Sequence, residues 1–248
     1  MSRRLARGVV PPGLDLDRLL VVFDFDGTLA PLVRLPHRAS IPVATRRSLS
    51  ALARQIPVCV LSGRARSDLL PRLGRVRVRH AIGNHGSEWT SRPPPARLKQ
   101  QIARWRRAIE PVVDRYEGVW IEDKGWSLSI HTRAVDEPQI ARRVRAIVAR
   151  AAPDAAVHEG KDVVNLWPPG ADKAAAVERL RDRFPARTIL FVGDDTNDEL
   201  VFAAKISRVV TVRVGPVTRT AARWVLADQG DVAPLLAVLV AGTSPRAR

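Results

Sequence analysis

The first clear pattern is the run Leu19-Leu20-Val21-Val22-Phe23, five apolar residues with no polar interruption, leading directly into Asp24-Phe25-Asp26-Gly27-Thr28. A short continuous apolar run predicts a strand buried on both faces, the mark of a parallel sheet. The pattern recurs at Ile56 to Leu61, ending in Ser62-Gly63-Arg64, and at Val76 to Ile82, ending in Gly83-Asn84-His85-Gly86. Between them Pro42 to Gln55, with Leu49 and Leu52, reads as a helix, and Ser67 is placed to cap a second one through Leu73. Strand, helix, strand, helix, strand is the alternation of a parallel α/β sheet. The Arg/Pro/Gly-rich residues up to about Asp17 are expected to fray.

The pattern changes after Arg92-Pro93-Pro94-Pro95. Leu98, Ile102, Trp105, Ile109 and Val112/Val113 lie at helical spacing. Alternating segments Val119 to Glu122 and Trp126 to His131 predict a hairpin through Asp123-Lys124-Gly125. A second helix from about Glu137 follows, then two strands around Glu159-Gly160-Lys161, closed by Trp167-Pro168-Pro169-Gly170. Apolar strands return at Thr188 to Val192 and Val209 to Val214, with helices between and a last helix around Val232 to Val240. The expected architecture is a Rossmann-like α/β core formed by residues 1–90 and 169–248, with an α+β domain inserted at residues 91–168.

Composition adds little to this. The 248 residues are 46% hydrophobic and 27% charged, as in ordinary globular chains. One cysteine, Cys59, forbids an internal disulfide and sits in an apolar strand pattern. No apolar run reaches membrane-spanning length, and none follows the N-terminal arginines as a secretory signal would require, so a cytoplasmic protein without membrane contact is expected. The net charge of +16 raises the question of nucleic acid. Its arginines are scattered and no nucleic-acid module is visible, so no nucleic-acid partner is expected; a positive surface would still attract phosphorylated substrates.

Candidate chemistry lies just past the predicted strands and at the start of a predicted helix, where open α/β sheets bind their ligands. Asp24 and Asp26 are two apart and would share a side; a hairpin turn at Asp26-Gly27 is the plain alternative. Ser62 could be only a turn residue, Lys173 only a solvated one, and Asp194-Asp195 only a helix cap. Taken together they suit phosphoryl transfer to a carboxylate and then to water. Asp24 would attack, Asp26 would act as acid and base, and Ser62 and Lys173 would hold phosphate oxygens. Asp24 and Asp194 would hold Mg²⁺ by hard oxygen donors.

That order of motifs resembles the haloacid dehalogenase superfamily of phosphatases, and within it the trehalose-6-phosphate phosphatases. The resemblance rests on Asp24-Phe25-Asp26-Gly27-Thr28, Ser62-Gly63-Arg64, Gly83-Asn84-His85-Gly86, Glu122-Asp123-Lys124-Gly125, Lys173 and Gly193-Asp194-Asp195-Thr196-Asn197-Asp198-Glu199. It implies that the insert is a cap that closes over the core, excludes water and selects the sugar. It implies catalytic Asp24, Asp26, Ser62 and Lys173. The metal would be held by Asp24, Asp26 through its carbonyl, and Asp194, with Asp195 and Asp198 beside it. Substrate contacts would come from Ser62, Gly63, Arg64, Asn84, His85, Glu122, Lys124 and Asn165; for His85 stabilisation of the turn is the other reading. Trehalose 6-phosphate is the implied substrate and a monomer the implied state. Another phosphorylated disaccharide, a glycosyl-phosphoglycerate, or a non-catalytic sugar-phosphate sensor remain the rivals. Three positions depart from the family pattern: Asn165 stands where a glutamate is usual, Ala174 where a glycine is, and His131-Thr132-Arg133 replaces His-Tyr-Arg. Trp89, Trp120, Trp126 and Trp167 are assigned to packing in or beside the insert, with sugar stacking as the alternative.

Overall fold

The computed structural model describes residues 3–132, 134–135, 137–160, 162–185, 187–216 and 219–243. Arg133 and Lys161, both singled out in the sequence, lie outside the described residues. The elements in chain order are β1 (Arg3–Arg4), β2 (Leu19–Phe23), α1 (Val43–Gln55), β3 (Val58–Leu61), α2 (Arg66–Leu73), β4 (His80–Ile82), α3 (Ala96–Val113), β5 (Trp120–Asp123), β6 (Leu128–His131), α4 (Pro138–Ala151), β7 (Ala156–Gly160), β8 (Val163–Trp167), α5 (Lys173–Arg183), β9 (Thr188–Gly193), α6 (Asp198–Ala203), β10 (Val209–Val214), β11 (Trp224–Leu226) and α7 (Val232–Gly242). They form two compact units, Met1–Trp89 with Lys173–Arg248, and Thr90–Asp172.

The first unit is built on a seven-stranded sheet of order β1-β11-β10-β9-β2-β3-β4, and every pairing in it is parallel. The unbroken apolar run of β2 is explained by its central place. Leu19, Val21 and Phe23 enter one core with Leu49 and Leu52 of α1 and Leu235, Leu236 and Leu239 of α7. Leu20 and Val22 enter the opposite core with Ala176, Val177 and Leu180 of α5 and Val201 and Phe202 of α6. Alternate side chains thus serve two faces, and a polar residue fits neither. Register then aligns the carboxyl ends: Phe23 is opposite both Val60 and Val192, and Leu61 opposite Ile82. The loops after β2, β3, β4 and β9 therefore leave the sheet on one side.

The sequence reading needs correction in several places. The N-terminal segment is tied down: Arg3 and Arg4 pair with β11, and Leu5 is buried in the core. The third strand begins at His80, because the Val76 and Val78 amides bond back to Leu73 and Val76 carbonyls and close α2 in turns. Ser67 does not cap α2; Ala65 precedes the helix and no side chain caps it. The three-residue strand β11 is too short to announce itself by periodicity. No helix among the described residues is long and apolar enough to cross a membrane.

In the second unit a four-stranded antiparallel sheet runs β5-β6-β8-β7. Leu128, Ile130, Val164 and Leu166 on one face pack with Ile102, Trp105, Ile109 and Val113 of α3 and Val144 and Val148 of α4. The Trp105 indole N–H donates to Asp154 Oδ1 at 2.8 Å. Period two puts the intervening residues on the other face. There Glu122, Ser129, Asn165 and His158 stand opposite one another in a row across all four strands.

Leu20 is fully buried in the central strand. Leu20→Ala is expected to lower unfolding stability by about 2–5 kcal/mol, the usual cost of a truncated core leucine. Urea denaturation checks this, and a loss below about 1 kcal/mol would contradict the packing described.

Candidate active site

Two carboxylates and a glycine leave β2. The Asp24 amide donates to the Val192 carbonyl at 2.9 Å, extending the pairing with β9 one residue past the strand. The loop closes on itself through Gly27 N–H to Ala30 O and Ala30 N–H to Phe25 O. Gly27 has φ +79°, and a Cβ there would lie 2.0 Å from Asp194 Oδ2. Glycine is required twice over, for the left-handed backbone and for the approach of the β9 loop. Thr28 then donates through Oγ1 to Asp194 Oδ1 at 3.1 Å.

The centre of the site is a buried charge cluster. Lys173, the first residue of α5, donates from Nζ to Asp24 Oδ1 and to Asp198 Oδ1, both at 2.7 Å. All three residues are buried. Asp24, Asp194 and Asp198 each offer a carboxylate oxygen, and these oxygens lie within 4.8 Å of one another. Burial pushes the Asp24 carboxyl well above its usual range, the Lys173 charge pulls against it, and the Asp198 and Asp194 charges add to the rise. Asp194 is pushed up to about 7, first by burial and next by Asp198. Burial would lower Lys173, yet Asp198 and Asp24 outweigh it and hold the ammonium firmly protonated. Three hard oxygen donors crowded against one ammonium fit a divalent cation, which would relieve their repulsion.

Asp195, expected beside a metal, is hydrogen-bonded within its own loop. Its Oδ1 accepts from the Thr196 amide at 2.7 Å and its Oδ2 from the Asn197 side chain at 3.0 Å. Asp198 takes the inner place instead, its Oδ2 accepting from the Asp195 amide at 2.9 Å. Gly193 makes room for it, since a Cβ there would meet Asp198 Cγ at 2.3 Å. Arg213 on β10 pins the same loop, donating to the Asp195 carbonyl and to Glu199 at 3.1 and 3.0 Å. Nothing in its local sequence marks Arg213 for this task.

Asp26 and Arg64 form a bidentate pair, Nε to Oδ2 and Nη2 to Oδ1, each 2.6 Å. Arg64 also donates to Asp68 Oδ2 at 2.6 Å and to the Pro36 carbonyl at 2.9 Å. Arg72 holds Asp68 in turn, donating to both its oxygens. Arg64, expected to hold substrate, is thus engaged with protein carboxylates. The i, i+4 spacing of Arg64, Asp68 and Arg72 is the signal that exposes this ladder. Ser62 is buried, and its Oγ accepts the Arg64 amide at 3.2 Å.

The loop after β4 carries strain. Asn84 and His85 have φ +48° and +57°, uncommon in successive non-glycine residues. The Asn84 amide side chain donates to Glu88 Oε2 at 2.8 Å, and the same oxygen accepts the Arg66 amide. A Cβ at Gly63 would lie 2.5 Å from His85 Cε1, so the imidazole packs directly on this glycine. The described contacts of Asn84 and His85 are those of a supported turn.

In the second unit Glu122 is on β5, while Lys124 falls in the turn closed by its own amide bonding to Ser127 O. Lys124 Nζ still reaches Glu122 Oε2 at 3.6 Å, and His131 Nε2 bonds that oxygen at 3.0 Å. The His131 hydrogen bond, against some desolvation and aided by Lys124, lowers the Glu122 carboxyl below its usual range. Asn165 Oδ1 accepts from Ser129 Oγ at 2.7 Å. Of the tryptophans assigned to packing, Trp167 is buried, whereas Trp120 is 52% exposed. Trp89 belongs to the first unit, where the Arg179 guanidinium sits 4.5 Å above its ring.

Comparison with known proteins bears on this geometry. The trehalose-phosphatase family model matches residues 22–229. A probable trehalose-phosphate phosphatase of Sinorhizobium fredii is 29% identical over 215 residues, covering 82% of this chain and 80% of its own. A trehalose-phosphate phosphatase of Mycolicibacterium paratuberculosis is 31% identical over 79% of this chain, which spans only 52% of that relative's length. Among solved structures, the C-terminal domain of the Candida albicans trehalose-6-phosphate phosphatase superposes with a TM-score of 0.76 at 22% identity, covering 91% of this chain and 92% of that one. The shared fold is that of haloacid dehalogenase-type phosphatases.

The raised Asp194 pKa gives a sign that can be tested without metal. Its protonated form is favoured in the folded state, so its contribution is fully present below 3.8 and is lost as pH rises through about 7. In chelator, Asp194→Asn should therefore gain stability relative to wild type between pH 5 and pH 8, by about 2 kcal/mol. Thermal unfolding at the two pH values measures it; an offset that does not change with pH would contradict the assignment.

Proposed function

Since the chain belongs to the trehalose-phosphatase family, we propose that it hydrolyses trehalose 6-phosphate to trehalose and phosphate by way of a phosphorylated Asp24. The observation that carries this reading is the buried Asp24–Lys173–Asp198 cluster with Asp194 beside it at the carboxyl edge of the sheet.

Asp24 attacks phosphorus with a carboxylate oxygen, and the ester bond to the sugar oxygen breaks. Lys173 orients that carboxylate, and its charge opposes the burial that raises its pKa. Ser62 Oγ and Lys173 Nζ supply donors to phosphate oxygens. Asp26 passes a proton to the departing sugar oxygen, then takes one from the water that attacks the acyl phosphate. Arg64 holds both Asp26 oxygens. To reach the sugar oxygen Asp26 would turn away from Arg64, which keeps Asp68 and the Pro36 carbonyl as anchors. Mg²⁺ is the proposed ion, held by Asp24, Asp194, Asp198 and the Asp26 carbonyl, and when bound it supplies charge neutralisation for the phosphoryl group.

Sugar recognition belongs, on this reading, to the unit Thr90–Asp172, with Glu122, Lys124 and Asn165 meeting hydroxyls. Asn165 favours a second possibility. It brings no charge, and its Oδ1 is taken by Ser129, so a different phosphorylated disaccharide would be discriminated here.

Asp24→Asn is expected to reduce phosphate release from trehalose 6-phosphate to background, with circular dichroism and thermal midpoint still those of a folded protein. Normal turnover in this variant would remove Asp24 as nucleophile. EDTA should abolish release and added Mg²⁺ restore it; release indifferent to EDTA would sink the metal assignment. A panel of sugar phosphates assayed side by side tests the substrate.

A further inference from the structure

Exposed tryptophans are ordinary when they stand alone, and Trp120 does not stand alone. It lies on the edge strand β5 directly opposite His131, and the two rings stack with centroids 3.8 Å apart and planes 14° from parallel. The imidazole is itself fixed, bonding Glu122 Oε2 at 3.0 Å. One face of the indole is therefore backed by a held ring, while half of the residue's surface remains open to solvent. Trp120 and Glu122 are two apart on one strand, so they share the face opposite the packed core of this unit. Lys124 reaches the same Glu122 oxygen from the turn at 3.6 Å. A flat apolar surface, a carboxylate and an ammonium are thus grouped on one polar sheet face.

A pyranose ring matches such a group. It presents an apolar C–H face and a rim of hydroxyls that both donate and accept. We infer that Trp120 is a stacking shelf for a pyranose ring of the substrate, a contact additional to those already proposed for Glu122 and Lys124. This rests on the reading of the substrate as a phosphorylated disaccharide. His131 is then a positioning residue: it holds the indole flat and Glu122 in place. Packing against the cap core, the other use of a tryptophan, does not account for an indole half exposed on the polar side.

The test compares trehalose 6-phosphate with p-nitrophenyl phosphate, which has no pyranose, in the whole chain with Mg²⁺. In Trp120→Ala the ratio of kcat/KM for trehalose 6-phosphate to that for p-nitrophenyl phosphate should fall about three- to tenfold, the range expected for one aromatic stack. The loss should lie mainly in KM, and Trp120→Phe should recover most of it. A ratio unmoved in Trp120→Ala, or a fall not recovered by Trp120→Phe, would overturn the shelf; a merely structural role would lower both substrates together. Should wild type act on a different sugar phosphate, the substrate reading fails, and the same three-way comparison on that compound decides Trp120.

Discussion

Everything in the first unit converges on one buried ammonium. Lys173 Nζ sits between Asp24 and Asp198, at 2.7 Å from each. It joins the loop after β2 to the loop after β9, and it does so from the first turn of the helix that follows the insert. Desolvating two carboxylates and an ammonium is expensive, and the pairing offsets that cost only while all three are present. Removal of any one leaves a buried charge without its partner. The cluster is thus a structural junction and, on the proposed reading, the reactive centre; the glycines at 27 and 193 leave the carboxylates around it the space they need.

What could be read from the sequence follows from how local the cause is. The strand Leu19–Phe23 was legible because burial on both sheet faces leaves no position for a polar residue. Asp24, Asp26, Ser62 and Lys173 stood out because each adjoins such a strand or opens a helix. The different settings of Asp195 and Asp198 were not legible: spacing fixes the loop, but how each carboxylate is held depends on hydrogen bonds to Thr196, Asn197 and the Asp195 amide. The pairing of Arg64 with Asp26 and Asp68 was not legible, because these partners come from one distant and one neighbouring element. The pairing of Arg3 and Arg4 with β11 was hidden for a similar reason, since only a partner more than two hundred residues away makes that short segment a strand.

The two units divide the work by the character of their sheets. A parallel sheet, apolar on both faces, can offer chemistry only at its ends, which is where the acidic loops emerge. An antiparallel sheet whose apolar residues pack on one side can carry polar ones on the other. In the insert that face carries Glu122, Ser129, Asn165 and His158 in register, with the Trp120–His131 stack at its edge. The first architecture concentrates charge at a point, and the second spreads polar groups over an area.

The short strand at Arg3–Arg4 has a practical bearing on how the protein is handled. It covers the outer side of β11, the Arg3 and Leu5 amides donating to the Arg223 and Val225 carbonyls. Trimming the chain to begin after Leu5 would strip this guard and leave a flat, partly apolar margin with unmatched amides and carbonyls. Such a margin invites strand-to-strand adhesion between molecules, so a truncated preparation would be prone to clump even with its acidic loops intact.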